Sequence, residues 1–108
     1  MLEAADIVID LRAHGATLHA LDLNLTPKEF DILTLLVRNA GCPVSPQDIF
    51  EQVWQEQYRL SDANTIMVHI RRLRKKLSEI DSSQAFIETV FGVGYRIDDD
   101  SGAGNTEQ

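Results

Sequence analysis

The side chains best equipped for chemistry stand together in the run Asn64-Thr65-Ile66-Met67-Val68-His69-Ile70-Arg71-Arg72-Leu73-Arg74-Lys75-Lys76-Leu77. The chemistry they offer is recognition of anions. Guanidinium forks and ammonium groups pair with phosphate oxygens, and one arginine can grip guanine O6 and N7 together. Wound as a helix at about 100° per residue, Ile66, Ile70, Leu73 and Leu77 fall within about 60° of one another. That seam must dock on a core. The opposite side carries Asn64, Val68, Arg71, Arg72 and Lys75, with His69 and Arg74 on the two flanks. A helix that packs by one stripe and presents cations on the other suits a polyanion, and the major groove of DNA admits such a helix.

The outward residues divide by chemistry. Arg72 projects opposite the seam and is the expected base reader. Val68 on the same face suits contact with a thymine methyl, and Asn64 either pairs with adenine or serves the helix start. Arg71, Arg74 and Lys75 suit phosphates, which position a protein without specifying sequence. Enzyme chemistry finds no comparable support. His14 and His19 lie on expected strands or a turn with no convincing third metal ligand. Gly92-Val93-Gly94 is followed by no helix, so it is no dinucleotide fingerprint, and no local motif groups Ser, His and Asp as a triad. Neither catalytic residues, a metal nor a cofactor is expected.

Positioning this helix requires a body. The chain has 108 residues, 44% of them hydrophobic, enough for one domain with a modest core. Its net charge of −7 looks unsuited to DNA, but the signs are segregated. Residues 1–62 hold four basic and ten acidic side chains, whereas residues 63–97 hold six basic and three acidic. The stretch 98–108 is acidic without any base and lacks apolar anchors, so it is expected to be a disordered tail to a domain spanning 1–97. The single cysteine, Cys42, excludes an internal disulfide and reads as an inert residue near a helix connection. With no membrane span and no secretory signal pattern, a reducing, cytoplasmic location is expected.

The first 25 residues read as short strands: Ile7 to Leu11, Ala16 to Ala20 and Leu23 to Leu25, with turns at His14-Gly15 and Leu21-Asp22. Thr26-Pro27-Lys28-Glu29 then announces a helix through a cap, a first-turn proline and a capping-box glutamate. Gly41 is suited to a left-handed cap at its end. Ser45-Pro46-Gln47-Asp48 repeats the grammar for a second helix ending near Trp54. A loop follows before Ser61 or Asp62 caps the basic helix. The chain closes as strand, glycine-containing turn and strand between Phe86 and Ile97. Three helices, an N-terminal antiparallel sheet and a C-terminal β-hairpin wing make a winged helix-turn-helix, with the third helix as reader.

On these residues the chain resembles the DNA-binding effector domain of OmpR/PhoB-type response regulators. The likeness is carried by Leu25-Thr26-Pro27-Lys28-Glu29-Phe30, Val53-Trp54, the basic run and Gly92-Val93-Gly94-Tyr95-Arg96, and it covers roughly residues 6–97. The resemblance implies a four-stranded N-terminal sheet and head-to-tail homodimers on tandem direct repeats of double-stranded DNA. It also implies an aspartate-phosphorylated receiver domain in the parent protein, so this chain is expected to be an effector half. The loop Gln55-Glu56-Gln57-Tyr58-Arg59-Leu60 would contact RNA polymerase. Thr65 and His69 match positions that touch phosphate, Trp54 sits where the family meets the DNA backbone or packs the core, and Thr89 and Tyr95 on the wing can donate hydroxyls to phosphate. Phe91 departs from the pattern, standing where an arginine usually precedes Gly-x-Gly-Tyr; an aromatic cannot supply the cation drawn to a narrow minor groove. That departure and the acidic body leave a protein-interaction module with weak or lost DNA binding as the rival expectation.

Overall fold

A computed structural model describes residues 1–98. The expected acidic tail therefore lies outside the described residues, apart from Asp98. Four short strands, β1 (Leu2–Ala4), β2 (Ile7–Asp10), β3 (Gly15–Leu18) and β4 (Leu21–Asp22), form an antiparallel meander in chain order. Helices α1 (Pro27–Arg38), α2 (Pro46–Trp54) and α3 (Ala63–Ile80) follow, then a hairpin of β5 (Ile87–Val90) and β6 (Gly94–Ile97). This is the winged helix-turn-helix architecture expected from the sequence.

The meander differs in detail from its sequence reading. Leu21-Asp22 is a strand rather than a turn, pairing with Leu18 and Thr17. The reversal falls at His19-Ala20, where both residues have positive φ (52° and 67°). Ala5-Asp6 makes the preceding β1–β2 turn the same way. Two-residue hairpins of this hand normally recruit Asn or Gly, and neither is present, so the turns left no signature. The sheet buries Ile7, Ile9, Ala16 and Leu18 by simple alternation, and α1 supplies Ile32, Leu33 and Leu36 to the same core.

Helix α1 starts as its sequence promised. Thr26 Oγ1 accepts the Glu29 amide at 3.3 Å, and Glu29 Oε1 accepts the Thr26 amide at 3.0 Å. The same carboxylate, only 1% exposed, also receives Lys76 Nζ at 2.6 Å. Lys76 further donates to Asn24 O at 2.8 Å, so one of the five clustered cations of α3 turns into the body. Burial pushes the Glu29 carboxyl up, but Lys76 and the Thr26 amide together outweigh it and hold the group below its ordinary range.

Two helix boundaries, the end of α1 at Arg38 and the start of α3 at Ala63, fall where expected but are capped differently. The end of α1 is closed by Asn39, whose amide and Nδ2 both donate to Leu35 O, and by the Ala40 amide on Val37 O. Gly41 does take a positive φ of 89°, but its amide donates to Ile97 O and so ties the connection to the hairpin. Neither Ser61 nor Asp62 caps α3. The Asp62 carboxylate accepts the Arg59 amide at 2.9 Å, and α3 grows out of a 3-10 turn over Leu60–Asp62.

The hairpin is held on two sides. Val44 and Tyr95 exchange backbone hydrogen bonds of 2.8 and 3.0 Å, and the approach is so close that a Cβ on Gly94 would lie 2.0 Å from Val44 O. On the other side Arg74 reaches from α3. Its Nε and Nη2 donate to Ile87 O at 3.1 and 3.0 Å, Nη2 also reaches Thr89 Oγ1 at 2.7 Å, and the guanidinium lies 5.8 Å from the Tyr95 ring centre.

Each tie has a measurable consequence. Arg74→Ala strands Ile87 O and is expected to cost about 2 kcal/mol in urea unfolding, with faster hydrogen exchange at the Val93 and Tyr95 amides. Arg74→Lys should recover little of it, because an ammonium cannot reproduce the fork; full recovery would contradict the clamp. For Glu29, a depressed folded pKa means that the stabilisation is complete above the unfolded carboxylate value and is lost as pH falls through the folded one. Glu29→Gln should therefore lower stability at neutral pH by roughly 2 kcal/mol and flatten the decline below about pH 4.5. An unchanged acid limb would exclude Glu29 as its source.

Candidate nucleic-acid interface

Helix α3 buries Ile66, Ile70, Leu73 and Leu77 to 1% exposure or less, so the predicted seam is the docked one. With that side fixed, Asn64, Arg71, Arg72 and Lys75 are exposed and Val68 is half-buried. Among the described residues, none of Arg71, Arg72 and Lys75 pairs with a carboxylate, whereas Lys76 and Arg96 do. The outward ridge is thus a set of unneutralised cations on a rigid element. Arg74, expected among the free phosphate ligands, instead has Nε and Nη2 committed to the hairpin, leaving Nη1 as its remaining donor nitrogen. It sits about 70° round the helix from the seam, near enough to reach the neighbouring strands.

On the opposite flank an aromatic group joins α2 to α3. The Trp54 ring stacks on Phe50 at 5.0 Å and meets the His69 ring edge-on at 5.2 Å. His69 Nδ1 lies 2.8 Å from Thr65 O, and since a carbonyl only accepts, Nδ1 carries the proton. The neutral ring therefore offers Nε2 as an acceptor, and donation to a phosphate oxygen needs the protonated ring. Thr65 and Trp54 are both half-buried, which lets Trp54 serve the core while keeping its edge at the surface. Lys28 Nζ lies 5.2 Å over the Trp54 ring and donates to Val53 O, adding a cation to this flank that sequence spacing on α3 had no means to find.

The wing places Thr89 opposite Tyr95. A hollow of about 270 Å³ separates the helix from these strands, lined by Met67, Ile70, Arg71, Arg74, Thr89 and Tyr95. Met67, half-exposed there, joins the site although helical periodicity gave it no role. Phe91 stands at the hairpin tip and is 91% exposed. In the loop before α3, Gln55 has a left-handed backbone, the Tyr58 amide donates to Glu51 Oε2, and the Tyr58 ring meets Phe50 edge-on, leaving Gln57, Arg59 and Leu60 outward. His14 packs over Phe30, and His19 Nε2 lies 2.8 Å from Asp81 Oδ2, so the two histidines serve separate structural contacts.

Residues 20–97 match the family model described as "Transcriptional regulatory protein, C terminal". The regulatory protein VanR of Enterococcus faecium is 41% identical over 92 residues, covering 85% of this chain and 40% of VanR. The transcriptional regulatory protein YclJ of Bacillus subtilis is 51% identical over 77 residues, covering 71% of this chain and 33% of YclJ. The chain thus spans about two fifths of the length of the first such relatives. Among solved structures, the DNA-binding domain of CpxR from E. coli superposes with a TM-score of 0.78 at 29% identity, covering 89% of this chain and 93% of that one. The DNA-binding domain of the response regulator AdeR, solved with an intercistronic region, gives 0.77 at 27% identity, covering 93% of this chain and all of that one. Sequence match, strand-and-helix order and superposition agree: the chain belongs to the C-terminal transcriptional regulatory protein family, the OmpR/PhoB-type DNA-binding effector domains of response regulators, which are not enzymes.

Proposed function

We propose that this domain binds double-stranded DNA in a sequence-specific manner, with α3 in the major groove and the hairpin over the adjacent backbone. The observation that carries this reading is the ridge of Arg71, Arg72 and Lys75, exposed on a docked helix and unpaired among the described residues. Arg72, Val68 and Asn64 contact bases. Arg71, Lys75, Thr65, Trp54 and protonated His69 contact the backbone, joined by Thr89 and Tyr95 from the wing and by Arg74 through its remaining nitrogen. The AdeR likeness supports the docking mode, because that domain was solved with DNA. A module this small makes few base contacts alone, which favours a homodimer on tandem direct repeats. The loop Gln55–Arg59 is proposed to meet RNA polymerase, and the shortfall against the length of the relatives suits a receiver domain in the parent protein acting in the cytoplasm.

The alternative, a protein-interaction module with weak DNA binding, draws on the exposure of Leu60 at 89%. Duplex selection from a random pool separates the two, since the alternative recovers no consensus. On a selected duplex, neutralising about six phosphates predicts a slope of log affinity against log salt near −5. Arg72→Ala should relax choice at one base pair by about 1–3 kcal/mol, while Lys75→Ala weakens all sequences alike and makes the slope shallower by about one. A slope near zero, or unchanged discrimination by Arg72→Ala on a base-substitution panel, would reject the assignment.

A further inference from the structure

The hairpin tip has a chemistry of its own. Phe91 is 91% exposed and Val93 is 49% exposed, on either side of Gly92, whose φ of 76° shapes the turn. Such exposure of a phenyl ring costs solvation and gives the fold nothing in return. Nor does the hairpin carry a free cation. Its one basic residue, Arg96, donates through Nε to Glu88 Oε1 at 3.1 Å. The strands that carry the tip are nonetheless tied to the body, because Arg74 clamps β5 to α3 and Val44 pairs with Tyr95 on the other side. Thr89 and Tyr95, which meet Arg74, lie directly behind the tip, so the apolar residues continue the surface that begins at the helix.

We propose that Phe91 is an apolar wedge that enters the minor groove beside the half-site occupied by α3 and partly unstacks one base step there. This rests on the DNA-binding reading and adds to it a contact that reads deformability. Steps that unstack easily, such as TA and CA/TG, accept a wedge at lower cost than A-tracts, so the tip selects sequence without hydrogen-bonding a base. The clamp makes this workable. A wedge does its job only if its base cannot recoil, and Arg74 fixes the strand from which the tip projects.

The test uses the full chain and a duplex selected for it from a random pool, with 2-aminopurine replacing single adenines in the minor-groove segment flanking the half-site. Wild-type protein should raise the probe's fluorescence at one step. Phe91→Ala should abolish that rise and weaken binding about tenfold, the scale of one aromatic–base stack. Its thermal midpoint should stay unchanged, since the ring is in solvent. Phe91→Arg should restore affinity without the fluorescence rise and steepen the salt slope by about one. Wild-type affinity and fluorescence in Phe91→Ala, with Arg72→Ala still losing discrimination, would overturn the wedge and leave the helix reading intact. Recovery of no duplex would overturn both. Self-association in the absence of DNA that disappears in Phe91→Ala would assign the tip to a second copy and likewise overturn the wedge.

Discussion

One helix must satisfy two solvents at once. The stripe of Ile66, Ile70, Leu73 and Leu77 has to leave water, and by doing so it fixes the direction in which every polar residue of α3 projects. The five clustered cations then meet different fates according to angle. Lys76 turns inward to Glu29, Arg74 turns sideways to the hairpin, and Arg71, Arg72 and Lys75 are left in solvent. The first two convert charge into architecture and the other three leave it exposed. An acidic body does not cancel this division, because no described carboxylate, Glu79 on the same face included, forms an ion pair with Arg71, Arg72 or Lys75.

The buried carboxylate at the start of α1 shows how economically the domain is joined. Glu29 closes its own helix by accepting the Thr26 amide and binds α3 by accepting Lys76. A lone carboxylate so deeply buried would be costly, and the lysine with the backbone amide makes it tolerable. The aromatic group of Phe50, Trp54 and His69 joins α2 to α3 by different means, through ring contacts at about 5 Å. Two unlike contacts thus hold α3 from one flank, and the Arg74 fork holds the hairpin from the other.

How far the sequence disclosed this depended on whether a feature was local. Helix α1, α2's start and the buried stripe of α3 each rest on residues within a few positions of one another, so capping grammar and periodicity were enough. The turns at Ala5-Asp6 and His19-Ala20 were hidden because their residues do not announce a left-handed backbone. The start of α3 at Ala63 fell where the pattern put it, but its cap did not, because the Asp62 carboxylate accepts the Arg59 amide of the 3-10 turn before it. For the site, exposure of Arg71, Arg72 and Lys75 followed from the helix alone. Diversion of Arg74 to Ile87 O did not, nor did the position of Lys28 over Trp54, because both require knowing which distant segment lies alongside.

The pairing of Val44 with Tyr95 bears on which edges of the hairpin are open to another strand. A two-stranded ribbon ordinarily has a pair of raw edges, each a template on which another chain could add. Here the outer margin of β6 is occupied by the connection between α1 and α2, and a backbone oxygen of β5 at Ile87 is taken by a guanidinium. With one margin covered and the other interrupted, the protruding hairpin can meet a ligand through its tip without inviting polymerisation along its sides.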